Sequence, residues 1–281
     1  MKKKVLSVIL CVVMLFSALS IAAFAEDVTH YVVLGDSIAY GSGLSNPTAA
    51  VYGKIVADTN GYNYENYSIP GSTTQALLVR MENSTVKEAI KNADIISISI
   101  GGNNFLLGNL SQLLFDSIVK NDHTRFDKMA DEFYADLDTI VNTIREVNSD
   151  AYILLQTLYN PQTGYVGEAY EQGALRISSK VKEYAENNPE KILVVDVASY
   201  LTDSDNDFAE DRIHPSAIGN EKIAKAVLET LYENGLGTET DPVINEAGKD
   251  LKGTGSFTRF VDLIGKLFHI LSVIYNMFSA R

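Results

Sequence analysis

Apolar positions along this chain follow two alternating rhythms. Five short stretches, residues 31–34, 62–68, 95–100, 152–158 and 192–197, concentrate β-branched, aromatic and aliphatic side chains and predict strands. Between them the apolar residues recur at three- and four-residue steps. Phe126, Met129, Phe133, Leu137, Ile140 and Ile144 keep that step and predict a helix over 124–147. Further helices are predicted over 48–58, 168–187 and 219–232. Strands separated by helices of about a dozen residues imply parallel neighbours covered on both faces. The expected architecture is α/β, a three-layer α/β/α sandwich around a mostly parallel five-stranded sheet.

The pattern changes at both ends. Lys2, Lys3 and Lys4 precede an apolar run that continues to Ala22, and Ala23-Phe24-Ala25 places small residues on either side of a large one. That is the form of a secretory signal peptide over residues 1–25, cut after Ala25. An uncleaved anchor is the alternative, because the run is nearly long enough to span a bilayer. Residues 26–234 make up the predicted main domain, and the polar, Gly-rich stretch 235–255 predicts a linker. Residues 256–281 predict an amphipathic helix. Its segment 257–278 is about 33 Å long at 1.5 Å per residue, with Arg259, Asp262, Lys266, His269 and Asn276 on one narrow face. Mid-segment charges disfavour a spanning helix and leave three candidates for what it touches: a membrane surface, a partner, or its own domain.

Composition narrows the partners. The chain has 281 residues and a formal net charge of −13, which disfavours nucleic acid, since phosphate binding needs clustered Lys and Arg. Removing residues 1–25 takes away three lysines and no acids, so −13 becomes −16. It also takes away Cys11, the only cysteine, leaving no disulfide, no thiol nucleophile and no Cys-ligated metal. A secreted protein at or near the cell surface is the expected setting.

A serine nucleophile needs a base, a carboxylate to orient that base, and donors for the developing oxyanion. Ser37 follows the first predicted strand and precedes Gly41 and Gly43, a place equally suited to a helix N-cap. Of four histidines, only His214 has a carboxylate at a useful spacing, Asp211, in Asp211-Arg212-Ile213-His214-Pro215. A surface turn would look the same. Gly71 after Pro70 could donate a backbone N–H or merely punctuate a turn. Asn103 after Gly101-Gly102 could donate its amide or cap the next helix. All three sites, at Ser37, Gly71 and Asn103, fall just after predicted strands, where α/β sheets bind ligands. Tyr159, Tyr165 and Tyr170 follow the fourth strand and could line a cleft.

Taken in order, GDSIAYGSG, the Gly71 of IPGSTT, GGNN and the Asp-x-x-His near the domain's end resemble the four blocks of the SGNH, or GDSL-type, hydrolases. The resemblance extends over about residues 30–232. It implies an esterase or lipase with a flavodoxin-like fold, working through an acyl-enzyme, and together with the signal peptide a secreted bacterial member. Ser37 would be the nucleophile, His214 the general base and Asp211 its orienter. The Ser37 and Gly71 N–H groups and the Asn103 side chain would form the oxyanion hole. Asn104 departs from the family, which usually carries Asp there.

Other chemistries lack their residues. The chain has no His-Glu-x-x-His, no phosphate-binding loop ending in Lys-Ser/Thr and no Gly-x-Gly-x-x-Gly opening a helix, so no metal or cofactor is expected. Asp203-Ser204-Asp205-Asn206-Asp207 begins like a calcium loop, but Phe208 replaces the required Gly, which predicts a solvated acidic loop. The expected substrate is an acyl ester of a carbohydrate or lipid, with a short acyl group. A surface binding module that keeps the fold without turnover is the competing class.

Overall fold

The computed structural model describes residues 28–106, 110–245, 250 and 256–279. The expected signal peptide and Cys11 lie outside the described residues. Five strands, β1 (His30–Gly35), β2 (Asn63–Asn66), β3 (Ile95–Ser99), β4 (Tyr152–Gln156) and β5 (Ile192–Val195), form one sheet in the order β2-β1-β3-β4-β5. Every pairing is parallel.

The helices, in chain order, are α1 (Ser37–Tyr40), α2 (Pro47–Ala50), α3 (Tyr52–Asn60), α4 (Thr74–Met81), α5 (Ser84–Asn92), α6 (Gly102–Leu106) and α7 (Leu110–Leu114). A π-helical turn, Phe115–Val119, comes next. Then follow α8 (Thr124–Val147), α9 (Gly164–Asn187), α10 (Val197–Tyr200), α11 (Ala217–Glu233) and α12 (Ser256–Ser279).

Strand side chains alternate between two cores, as the two-residue period of a strand requires. Val32, Leu34, Ile96, Ile98, Ile153 and Leu155 pack on one face against residues of α4, α5, α8 and α9. Tyr31, Val33, Ile95, Leu154 and Val195 pack on the other against α3 and α11. Helices on both faces of a parallel five-stranded sheet are the expected three-layer α/β/α architecture.

Departures are local. The 48–58 helix breaks at Val51, whose ψ of 146° is extended. The buried Asn220 accepts a hydrogen bond from the Tyr52 N–H at 3.1 Å and so starts α3 afresh. The second strand is shorter than expected, although its pairing continues beyond Asn66. The Tyr67 N–H donates to the Val33 carbonyl and the Ile69 N–H to that of Gly35. Helices α4 and α5 are not among the predicted elements, although each buries residues at three- and four-residue steps, Leu77 and Met81 in one and Val86, Ala89 and Ile90 in the other. They are short, and side chains of Thr73 and Asn83 cap their first turns. Residues of the 235–255 stretch are tied down, with Thr238 and Val243 donating to Asn60 and Thr59.

Sheet order reverses between β1 and β3, since β2 lies to one side of β1 and the later strands to the other. A crevice opens at such a switch point beyond the carboxyl ends of the strands. Ser37 follows β1 and Asn103 follows β3, so they flank it.

Candidate active site

The chain leaves β1 through Gly35 into a tight turn in which Asp36, not Ser37, caps α1. The Asp36 carboxylate accepts the Ile38 N–H at 3.0 Å. With the capping role taken by its neighbour, Ser37 lines a cavity of about 380 Å³. Gly71, Asn103 and His214 line the same cavity, together with Leu106, Tyr159 and Tyr170.

Asp211 is not in the lining but holds His214 from behind. Its Oδ2 lies 2.6 Å from His214 Nδ1, and its Oδ1 accepts the backbone N–H groups of Ile213 and His214, each at 3.0 Å. The fold forces this compactness. Arg212 sits at φ 54°, and the Ala209 N–H donates to the His214 carbonyl at 2.9 Å. Engaging Nδ1 leaves Nε2 as the ring nitrogen available to the cavity. Burial pushes the Asp211 carboxyl up, but hydrogen bonds from the His214 side chain and backbone and from Ile213 outweigh it and hold it below its ordinary value.

The nucleophile side and the histidine side meet closely at Gly43. A Cβ there would lie 2.9 Å from the Cβ of His214, and φ is +101°. Gly71 has a φ of +81° with open space around it, so its requirement is conformational, and its backbone faces the cavity without a side chain in the way.

Asn103 is the second residue of α6 and does not cap it. Its Nδ2 donates to the Ser72 carbonyl at 3.0 Å and lies 3.4 Å from Asp36 Oδ2. The amide plane is thus held between the Gly71 loop and the end of β1. Asn104, the position that departs from the family pattern, bonds Thr74 twice. Its Nδ2 donates to Thr74 Oγ1 at 2.7 Å and its Oδ1 accepts the Thr74 N–H at 3.2 Å. An amide makes both bonds as donor and acceptor, which a carboxylate cannot do.

Asp36 is 1% exposed, and burial pushes its carboxyl up to about 7, against the lowering effects of the Ile38 N–H and of His214. Its capping and its approach to Asn103 had no signal in the hydrophobic pattern; Asp preceding a helix-opening serine was the only available hint.

Two of the three tyrosines face the cavity. Tyr159 also donates its hydroxyl to the Ile213 carbonyl at 2.9 Å, steadying the histidine loop. Tyr165 points elsewhere and stacks on His269, ring centroids 4.0 Å apart. His30 and His123 lie away from the cavity, the former beside Asn63 and the latter preceding α8. The 203–207 loop is only partly solvated, contrary to the expectation from its composition. Asp207 is 0% exposed and faces Lys222 Nζ at 2.6 Å.

Chemically, a hydroxyl, an imidazole oriented by a carboxylate, and three potential donors share one cavity beyond the strand ends. Known proteins are similar over about three-quarters of the chain. YpmR of Bacillus subtilis is 27% identical over 223 residues, 75% of this chain and 85% of that protein. A lipase, Lip_vut3, from a goat rumen metagenome superposes with a TM-score of 0.60 at 21% identity, covering 74% of this chain and 98% of its own. A Clostridium thermocellum family 3 carbohydrate esterase superposes with a TM-score of 0.53 at 20% identity, covering 75% of this chain and 100% of its own. The GDSL-like lipase/acylhydrolase family matches residues 33–222, more than half of the chain, and the protein belongs to that family.

Proposed function

We propose that the protein is a secreted ester hydrolase that removes short acyl groups from a carbohydrate or lipid through an acyl-enzyme on Ser37. The observation that carries this reading is the Asp211–His214 pair, 2.6 Å apart, opening onto the cavity that Ser37 lines. His214 Nε2 takes the hydroxyl proton as Ser37 Oγ attacks the ester carbonyl carbon. Asp211 stabilises the imidazolium that forms. The Ser37 and Gly71 N–H groups and Asn103 Nδ2, which gives up its long 3.4 Å bond to Asp36, stabilise the oxyanion. Collapse expels the alcohol, which takes the proton from His214. Water then attacks the acyl carbon, His214 accepts its proton, and the carboxylate product leaves as Ser37 recovers its hydrogen.

A cavity of about 380 Å³ is near the small end of ligand sites, which favours short acyl chains. Similarity to both lipases and carbohydrate esterases keeps both alcohol classes within the proposal. Lys2, Lys3, Lys4 and the Ala23-Phe24-Ala25 site support secretion. The test is hydrolysis of p-nitrophenyl esters by wild type and Ser37→Ala. Turnover should fall at least about 10³-fold in the variant. Equal rates would overturn the serine mechanism, and no turnover by either form would return the protein to a binding role.

A further inference from the structure

Helix α12 packs on the domain with one face and leaves an apolar stripe on the other. The packed face is clear: Ile264 and Phe268 join Leu114, Val166 and Ala169, Gly265 sits against Val166, and His269 stacks on Tyr165. Diametrically opposite run Leu263, Leu267, Ile270, Ile274 and Met277, between 44% and 68% exposed, with Val273 widening the band on one flank and Tyr275 exposed outside it. At 100° per residue these five fall within an arc of about 80°, and they extend about 21 Å along the axis. An exposed apolar band of that regularity has a thermodynamic cost in water and marks a docking surface. Among the described residues no helix is long and apolar enough to cross a membrane.

Charge identifies the occupant. Residues 256–281 contain Arg259, Lys266 and Arg281 against Asp262, a net charge of +2, in a chain whose total is −13. The remainder therefore carries −15. Lys266 is exposed on the flank of the apolar stripe. A cationic amphipathic helix on an acidic protein is attracted to an anionic lipid surface while the body is repelled, so only this edge approaches. A second copy fits less well. The 263–277 seam covers barely two heptads, short of the three or four that a coiled coil needs, and pairing would bring two acidic bodies and two cationic helices together.

We infer that α12 is an interfacial helix that docks the protein on an anionic lipid bilayer through Leu263, Leu267, Ile270, Ile274 and Met277. Its seat also places it beside the catalytic cleft. Helix α9 offers Tyr165 to α12 and, five residues on, Tyr170 to the cavity, while the π-helical turn on the other side packs Phe115 against Phe268. The inference rests on the esterase reading only for its purpose, the presentation of the cleft to an ester in or near that bilayer.

The test uses the full chain with vesicles of phosphatidylcholine alone and with roughly 30% phosphatidylglycerol. Wild type should float with the anionic vesicles and be released by raised salt. The double variant Leu267→Ser/Ile274→Ser should partition at least about tenfold less. Both residues are exposed, so its melting temperature and p-nitrophenyl acetate turnover should match wild type. Ser37→Ala should float as wild type does, which separates docking from catalysis: failure of the esterase reading would appear in turnover and leave flotation unmoved. Absence of flotation, or equal flotation of the double variant, would overturn the inference. So would a wild-type dimer in solution that the double variant abolishes, since the stripe would then belong to a second copy.

Discussion

Asp211 grips the histidine loop three times, through the His214 ring at 2.6 Å and through the amides of His214 and Ile213 at 3.0 Å each. The two functions are separable, because Oδ1 serves the backbone and Oδ2 the imidazole. Asp211→Asn should keep the loop but lose the imidazolium partner. We expect turnover of a p-nitrophenyl ester to drop on the order of 10²–10⁴-fold with a small change in melting temperature. A stability loss as large as that of an unfolded loop, with no specific effect on turnover, would contradict this division. The sign of the pH effect follows from a carboxyl held below its ordinary value. Its stabilising contribution is complete above the unfolded value and is lost as pH falls through the folded one.

Asp36 has the opposite sign. Its carboxyl is pushed up to about 7 from 3.8 by burial, so between those values the folded protein holds a proton that the unfolded chain has released. Stability therefore falls with rising pH across that window, by a few kcal/mol at most. Asp36→Asn keeps a good N-cap and removes the charge. Chemical denaturation at pH 5 and pH 8 should show the wild type losing stability at the higher pH relative to the variant. Parallel curves for the two proteins would refute the buried-charge account.

Gly43 tests how closely the two halves of the site must approach. An added Cβ would lie 2.9 Å from His214 Cβ and 3.0 Å from the Pro215 carbonyl oxygen, at a φ that side chains avoid. Gly43→Ala should cost about 1–3 kcal/mol of stability. It should also reduce kcat more than binding, because the displacement falls on the imidazole. Unchanged kcat with weakened binding would mean that the loop yields away from His214.

Much of this arrangement is legible in the amino-acid sequence. Strand runs closed by Gly35, Pro70-Gly71 and Gly101-Gly102 mark the carboxyl edge of a parallel sheet, so the loops at Ser37, Gly71 and Asn103 had to gather there. Asp211 and His214 are close in sequence, and local spacing sufficed. What escaped depends on contacts distant along the chain. Tyr165 and Tyr170 differ by five residues on one helix and face different neighbours, a matter of helical phase that the boundary at Gly164 decides. The role of Asn104 depends on Thr74, thirty residues earlier, which the fold brings beside it. Asp207 belongs to a polar pentad yet is buried, with Lys222 of α11 facing it.

That last pair supports the histidine loop from below. Asp207 has no exposed surface, its Oδ2 accepts the Asp203 N–H at 2.8 Å, and its carbonyl accepts the Ser216 N–H at 2.9 Å. Lys222 Nζ, at 2.6 Å, balances the carboxylate from a side chain that is 35% exposed. Removing only the cation strands a buried charge, whereas removing both charges does not. Lys222→Met should therefore destabilise by about 2 kcal/mol or more, after allowance for the partial exposure of the lysine. The double variant Asp207→Asn/Lys222→Met should recover much of that loss. The measurement is a double-mutant cycle in urea, with p-nitrophenyl acetate turnover beside it. Additive losses would mean that the two side chains act independently. Recovery of stability without recovery of turnover would show that the ionic clamp sets the position of His214 as well as holding the loop.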